Sequence, residues 1–191
     1  MPNDHFATLG QPRRPWLDPE ELKQTFHRLT AEQHPDKAGE GSAFADVNAA
    51  YTVLRDPVLR LRHLLELDCA DAPTDSGAIP EKLADTFMRV ATLRRAIDSF
   101  VQQLERTGSP VAKALLASER FALQRDVERE LAALETAYEV GLDAIRAADP
   151  AWEGRQPQLV HDLADLQREL SYIGKWIWQL REAIFRLGAS A

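Results

Sequence analysis

The chain of 191 residues has a single cysteine, Cys69. One thiol cannot build a disulfide framework or a Cys-based zinc site within a monomer. No run of about 18 apolar residues occurs, so no membrane-spanning helix is expected. Met1 to Asp18 holds three prolines and four charged residues. Without an apolar core, that segment does not read as a secretory signal, and a cytoplasmic location is expected. Basic charge is also short: 23 Lys and Arg stand against 30 Asp and Glu, a net charge of −7. That balance disfavours general nucleic-acid binding. Apolar/polar alternation is scarcely found, so strands are not expected. Glycine-rich phosphate loops and nucleophile–base pairings are missing as well. Neither an enzymatic activity nor a cofactor is expected.

What the sequence does have is helical periodicity almost throughout, and apolar residues at 45% suffice for a core. Turn-forming clusters divide the chain at Gly10–Pro15, His34–Ser42, Asp56-Pro57, Asp71–Pro80, Gly108–Pro110 and Asp149–Pro157. Asp71–Pro80 reads as a linker. The division is therefore 1–70, a linker over 71–80, and 81–191.

The second segment reads as three long helices. Leu159, Leu163, Leu166, Leu170, Ile173, Ile177, Leu180, Ile184 and Leu187 recur in steps of four and three. Such a stripe extends over roughly 40 Å and requires helical partners. Leu83, Phe87, Val90, Ile97, Val101 and Leu104 form another stripe, interrupted by Arg94, and Val127, Leu131, Leu134, Tyr138 and Ile145 form a third. Three amphipathic helices bury one another as a bundle. Trp176 and Trp178 flank Ile177 and cannot both face the seam. At least one is expected at the surface, as part of an interaction patch or of the plain bundle exterior.

In the first segment Asp18 is placed to cap a helix that opens with Pro19 and has Glu21 three residues after the cap. Leu22, Phe26 and Leu29 give that helix its apolar face. Pro35 ends it at residue 33 or 34. A second helix runs from near Ser42 to Arg55, with Phe44, Val47, Ala50, Tyr51 and Leu54 on one face. A short loop joins the two, so they pack antiparallel. The loop carries His34-Pro35-Asp36.

His-Pro-Asp between two such helices resembles the signature of J-domain co-chaperones. The run from Phe44 to Pro57 resembles the third J-domain helix, Leu22, Phe26 and Leu29 match the second, and Asp4 to Gly10 matches the first and its turn. Phe6, Leu9-Gly10, Pro12, Leu17-Asp18 and the run from Pro57 to Leu67 resemble the HscB type, J-proteins of iron–sulfur cluster assembly. The resemblance is strong over residues 4–68. Over 80–191 it is mostly architectural, resting on Thr86-Phe87-Met88, Leu93-Arg94 and helix lengths.

The resemblance implies an all-α fold with an N-terminal J-domain and a C-terminal three-helix bundle. It implies that His34, Pro35 and Asp36 engage a DnaK/HscA-type chaperone and stimulate its ATPase. Asp36 can accept a charge-assisted hydrogen bond from a partner arginine, and Pro35 lowers the ordering entropy of the loop. Lys23, His27 and Arg28 occupy the basic face of the second helix, and Lys37 follows the motif. Gln33 and Glu32 depart from the family pattern. Residues 1–68 hold eight Lys and Arg against eleven Asp and Glu, which weakens steering toward an acidic chaperone surface.

The bundle is expected to bind an IscU-like scaffold through Phe87, Met88, Ala91, Thr92 and Arg95. Thr92 and Arg95 stand where the family has acidic residues, and Phe87 and Met88 could instead belong to the core. Two other readings stay open. One is a J-protein with a different client. The other is a structural or dimerisation module with a degenerate J-domain, motivated by the 159–187 stripe.

Overall fold

The structure, a computed structural model, describes residues 3–32, 41–69 and 77–189. It is all-α, with no strand among the described residues. The helices are α1 (His5–Thr8), α2 (Pro19–Glu32), α3 (Gly41–Arg55), α4 (Pro57–Asp68), α5 (Ala84–Arg106), α6 (Pro110–Leu115), α7 (Ala117–Ala148) and α8 (Pro157–Ala189). Short 3-10 turns cover Glu81–Leu83 and Asp149–Gly154.

By its packing the chain forms two compact units. Met1–Ser76 groups with Gly141–Gln167, and Gly77–Val140 groups with Arg168–Ala191. Residues 141–167, read from the sequence as part of the bundle segment, thus pack with the first unit. The expected linker falls largely on 71–76, outside the described residues.

In the first unit the helix starts follow local chemistry. The Asp4 carboxylate accepts from the Ala7 amide at 3.1 Å, capping α1. Gly10, at φ 60°, then turns the chain out of it, with the Gln11 amide donating to the Phe6 carbonyl at 2.8 Å. That left-handed conformation is the one glycine takes without strain. Asp18 accepts from the Glu20 and Glu21 amides at 2.9 and 3.0 Å, as its cap position requires. Asp56 does the same for Val58 and Leu59 ahead of α4, with Pro57 at the first helical position. Helices α1, α2 and α4 all pack on α3. The core includes Phe6, Leu9, Leu22, Val47, Ala50, Leu54, Leu61 and Leu64. Phe26 and Tyr51 stack across α2 and α3 with centroids 4.1 Å apart.

A charged group is buried in this unit. Arg60 is 2% exposed. Its Nε donates to the Pro15 carbonyl at 3.0 Å and one terminal nitrogen donates to the Leu54 carbonyl at 2.9 Å. Its guanidinium also lies 5.6 Å from the Trp16 ring centroid, and Arg146 lies 5.0 Å from the same ring. Burial lowers the Arg60 pKa to about 10, which leaves it charged at neutral pH. The buried Asp149 accepts from the Trp16 amide at 2.9 Å and from Arg14 Nε at 3.1 Å. The indole of Trp152, also buried, donates to the Arg13 carbonyl at 3.0 Å.

In the second unit α5, α7 and α8 form the bundle core from Val90, Ile97, Phe100, Val127, Leu134, Ile173, Ile177, Leu180 and Leu187. The α8 stripe from Ile173 to Leu187 therefore faces inward. Phe87 departs from the expected α5 stripe. It is 40% exposed, whereas Phe100, absent from that stripe, is buried. Phe87 and Arg94 are one heptad apart on the flank of α5, where Arg94 donates to the Gln179 side chain at 3.2 Å. Of the flanking tryptophans, Trp176 is buried and Trp178 is 65% exposed.

Two substitutions test this packing. Leu180→Ala in the bundle costs about 3 kcal/mol through lost burial and a residual cavity, read as a lower urea midpoint. Arg60→Met strands two buried carbonyls and costs about 2–4 kcal/mol, read in the same way.

Candidate functional site

Two surfaces carry the residues singled out in the sequence. His34, Pro35, Asp36 and Lys37 lie outside the described residues. The helices on either side of them, α2 and α3, are described, and Lys23, His27 and Arg28 are all exposed on α2. They sit at i, i+4 and i+5, while Leu22 is buried beneath them. Arg28 lies 3.6 Å from Glu32 across one helical turn, so part of its charge is met locally. The His27 ring leans on Phe26 at 5.6 Å between centroids. Arg55 lies 5.8 Å from the Tyr51 ring centre, adding a cation near the Phe26–Tyr51 stack. This face can offer hydrogen-bond donors and positive charge to an acidic partner; it holds no group placed for covalent chemistry.

The second surface lies on α5 and α8. Phe87 and Met88, the latter 55% exposed, stand out from the bundle with Thr92 and Arg95, and Ala91 is half-buried between them. The structure thus settles the choice between core and surface for Phe87 and Met88: both reach solvent. Phe87 is not isolated. Its ring lies 6.3 Å from that of Trp176, which lies 5.9 Å from Tyr172. The Tyr172 hydroxyl donates to the Gly77 carbonyl at 3.0 Å. Lys175 sits 5.2 Å from the Tyr172 ring centre.

Beside Met88 a shallow groove of about 420 Å³ runs between α5 and α7, lined by Arg89, Thr92, Leu93, Asp126, Arg129 and Glu130. Its charged walls are paired: Arg89 with Glu130 at 3.0 Å, and Arg129 with Asp126. The sequence named the α5 part of this surface and raised Trp176 with Trp178 as a possible patch. It missed Tyr172 and Lys175, although Tyr172 and Trp176 are one turn apart on α8, a spacing that puts two aromatics on one face.

A third cluster is structural. His63 is buried on α4, where its Nε2 accepts from the His5 amide at 3.1 Å and its ring stacks on Phe6. Burial, then the neighbouring His5 and Arg13, hold the His63 pKa below its ordinary value, while Glu66 and Asp4 oppose the shift. Cys69 is half-buried, and burial followed by the adjacent Asp68 raises its thiol pKa. No group of three or more His, Cys, Asp or Glu side chains is placed to hold a metal ion among the described residues. No described helix is long and apolar enough to cross a membrane.

Comparison with known proteins bears on the N-terminal helices and on the fold. Residues 4–63 match the DnaJ domain family. A co-chaperone protein HscB homolog from Bordetella pertussis is 40% identical over 84 residues, covering 39% of this chain and 49% of that protein. A homolog of the same name from an Azoarcus species is 34% identical over 86 residues. Chaperone protein DnaJ 1 from a Synechocystis species is 38% identical over 66 residues, 17% of its length. The chain spans about half the length of the HscB homologs it matches. Among solved structures, the chaperone HscB from Vibrio cholerae superimposes with a TM-score of 0.57 over 97% of this chain, at 20% identity. At that identity the likeness is one of fold.

His63 makes the first unit sensitive to acid. A histidine held neutral in the fold has a depressed folded pKa, so its stabilisation is complete above the unfolded value of 6.5. It is lost as the pH falls from there through the folded value. His63→Gln keeps an acceptor for the His5 amide and removes the titration. Melting curves between pH 7.5 and 5 are expected to fall less steeply for the variant than for the wild type.

Proposed function

We propose that this chain, a J-domain protein with the HscB fold, works as a co-chaperone that brings a client to a DnaK/HscA-type chaperone. It stimulates that chaperone's ATPase and has no catalytic chemistry of its own. The observation that carries the reading is the DnaJ-domain match over residues 4–63, with His34-Pro35-Asp36 falling between α2 and α3. Asp36 offers a carboxylate to an arginine of the chaperone. Pro35 keeps the loop from paying a large ordering cost on docking. Lys23, Arg28 and Lys37 supply positive charge beside it, with the His27 ring as a further polar contact, and they speed the encounter more than they tighten the complex.

The client is an IscU-like iron–sulfur scaffold, received on α5 by Phe87, Met88, Ala91, Thr92 and Arg95 in the cytoplasm. Support comes from the name shared by the matched relatives and from the exposure of Phe87 and Met88 beside Trp176. Exposed methionine and aromatic side chains suit an adaptable contact surface. A second reading, a J-protein with another client, is favoured by Thr92 and Arg95, which give α5 a different charge from the acidic patch of the family.

Single-turnover ATP hydrolysis by the DnaK-type chaperones of the same source tests the first half of the reading. Wild-type protein is expected to accelerate hydrolysis. Stimulation by His34→Gln is expected to fall by about tenfold or more, as for loss of a central polar contact in a binding interface. No stimulation by the wild type with any of those chaperones would overturn the co-chaperone reading.

A further inference from the structure

The charge of the α5/α8 surface runs against that of the chain. The whole protein carries −7, yet cations without a carboxylate partner stand near Phe87 and Met88. Arg89, Arg129 and Lys82 are each committed to a carboxylate, Glu130, Asp126 and Glu169. Three others are not. Arg94 donates to the Gln179 amide, Arg95 to the Ala91 carbonyl and to Thr92, and Lys175 lies over the Tyr172 ring. None of the three pairs with a carboxylate among the described residues.

Their position is regular. Arg94 follows Phe87 by seven residues, and Arg95 follows Met88 by seven. Each apolar side chain is therefore continued, on the same face and roughly 10 Å along the axis, by a guanidinium. Arg94 and Arg95 are exposed, and their hydrogen bonds to neutral groups leave the charge uncompensated. A ligand that neutralises them gains charge-assisted hydrogen bonds, whereas a basic ligand meets repulsion.

We propose that the client surface received here is acidic: an apolar side chain seats against Phe87 and Met88, and one or two carboxylates about one heptad away bind Arg94 and Arg95. This inference rests on the client-binding reading of the same surface and fixes the chemistry of its partner. A scaffold that binds this chain presents an apolar anchor flanked by Asp or Glu. Charge complementarity of this kind selects among partners more than it adds affinity.

The test is a titration of the iron–sulfur scaffold protein from the same source against full-length protein, at low and high salt. Wild type is compared with Phe87→Ala/Met88→Ala and with Arg94→Glu/Arg95→Glu, and circular dichroism verifies that both variants fold. The expected result is that both variants bind about tenfold or more weakly and that salt weakens the wild type. If the apolar variant loses binding while the Glu variant binds as well as or better than wild type, the acidic partner is overturned and the client surface stands. If the apolar variant binds like wild type, or the wild type does not bind the scaffold, the client reading falls and takes this inference with it.

Discussion

A guanidinium removed from water costs several kcal/mol unless its donors are met. Arg60 is such a group: the first unit meets its Nε and one terminal nitrogen, while the other terminal nitrogen has no hydrogen-bond partner among the described residues. Its bonds reach the Pro15 carbonyl in the loop after α1 and the Leu54 carbonyl near the end of α3. Helix α4, which carries it, cannot shift without unmaking one of them. The Trp16 ring meets two cations, Arg60 and Arg146. Asp149 then holds the Trp16 amide, and its charge raises the Arg60 pKa against the larger effect of burial. Asp68, also in this unit, takes Arg13 and Arg155 at 2.8 Å each. Arg155 adopts φ 39°, a left-handed conformation strained for a side chain of its size, and its ion pair with Asp68 offsets part of that strain. The unit that bears the His34-Pro35-Asp36 sequence is thus held by buried polar contacts as well as by its apolar core.

The second unit follows the opposite logic. Its interior is an apolar seam of α5, α7 and α8, and its ion pairs lie at the margins: Arg186 with Asp98, Arg181 with Glu135. Exposed pairs of this type contribute little stability. They do consume charge, and that is what makes the remaining cations informative. With Arg89, Arg129, Arg181 and Arg186 committed, Arg94, Arg95 and Lys175 define the sign of the surface around Phe87.

Much of this was legible in the sequence because it is periodic or local. Apolar residues at steps of three and four located α5, α7 and α8, Asp18 located the start of α2, and Asp56-Pro57 marked the boundary at which α3 gives way to α4. The His-Pro-Asp tripeptide and the flanking runs pointed to a J-domain, and residues 4–63 match the DnaJ domain family. What escaped was set by packing over long separations. Asp149–Pro157 reads as a plain break in the chain, yet Asp149 and Trp152 are buried there against residues 13–16. Nothing local marks that aspartate as an acceptor for a backbone amide 133 residues away. Phe87 and Phe100 have the same side chain on the same helix. Only the placement of α7 and α8 decides that Phe100 is core and Phe87 is surface.

The grouping of residues 141–167 with the N-terminal unit has a consequence for synthesis. The first unit lacks its final piece until residue 167 has been translated. At 5–20 residues per second, residue 76 and residue 167 are separated by about 5–20 s. During that interval the N-terminal helices are present without Trp152, Ile145 and Leu163, and Arg60 without Asp149. Intervening residues 77–140 emerge before their own partners in 168–191. Neither unit can close on the ribosome in simple chain order, and both complete their cores only as the last helix is made.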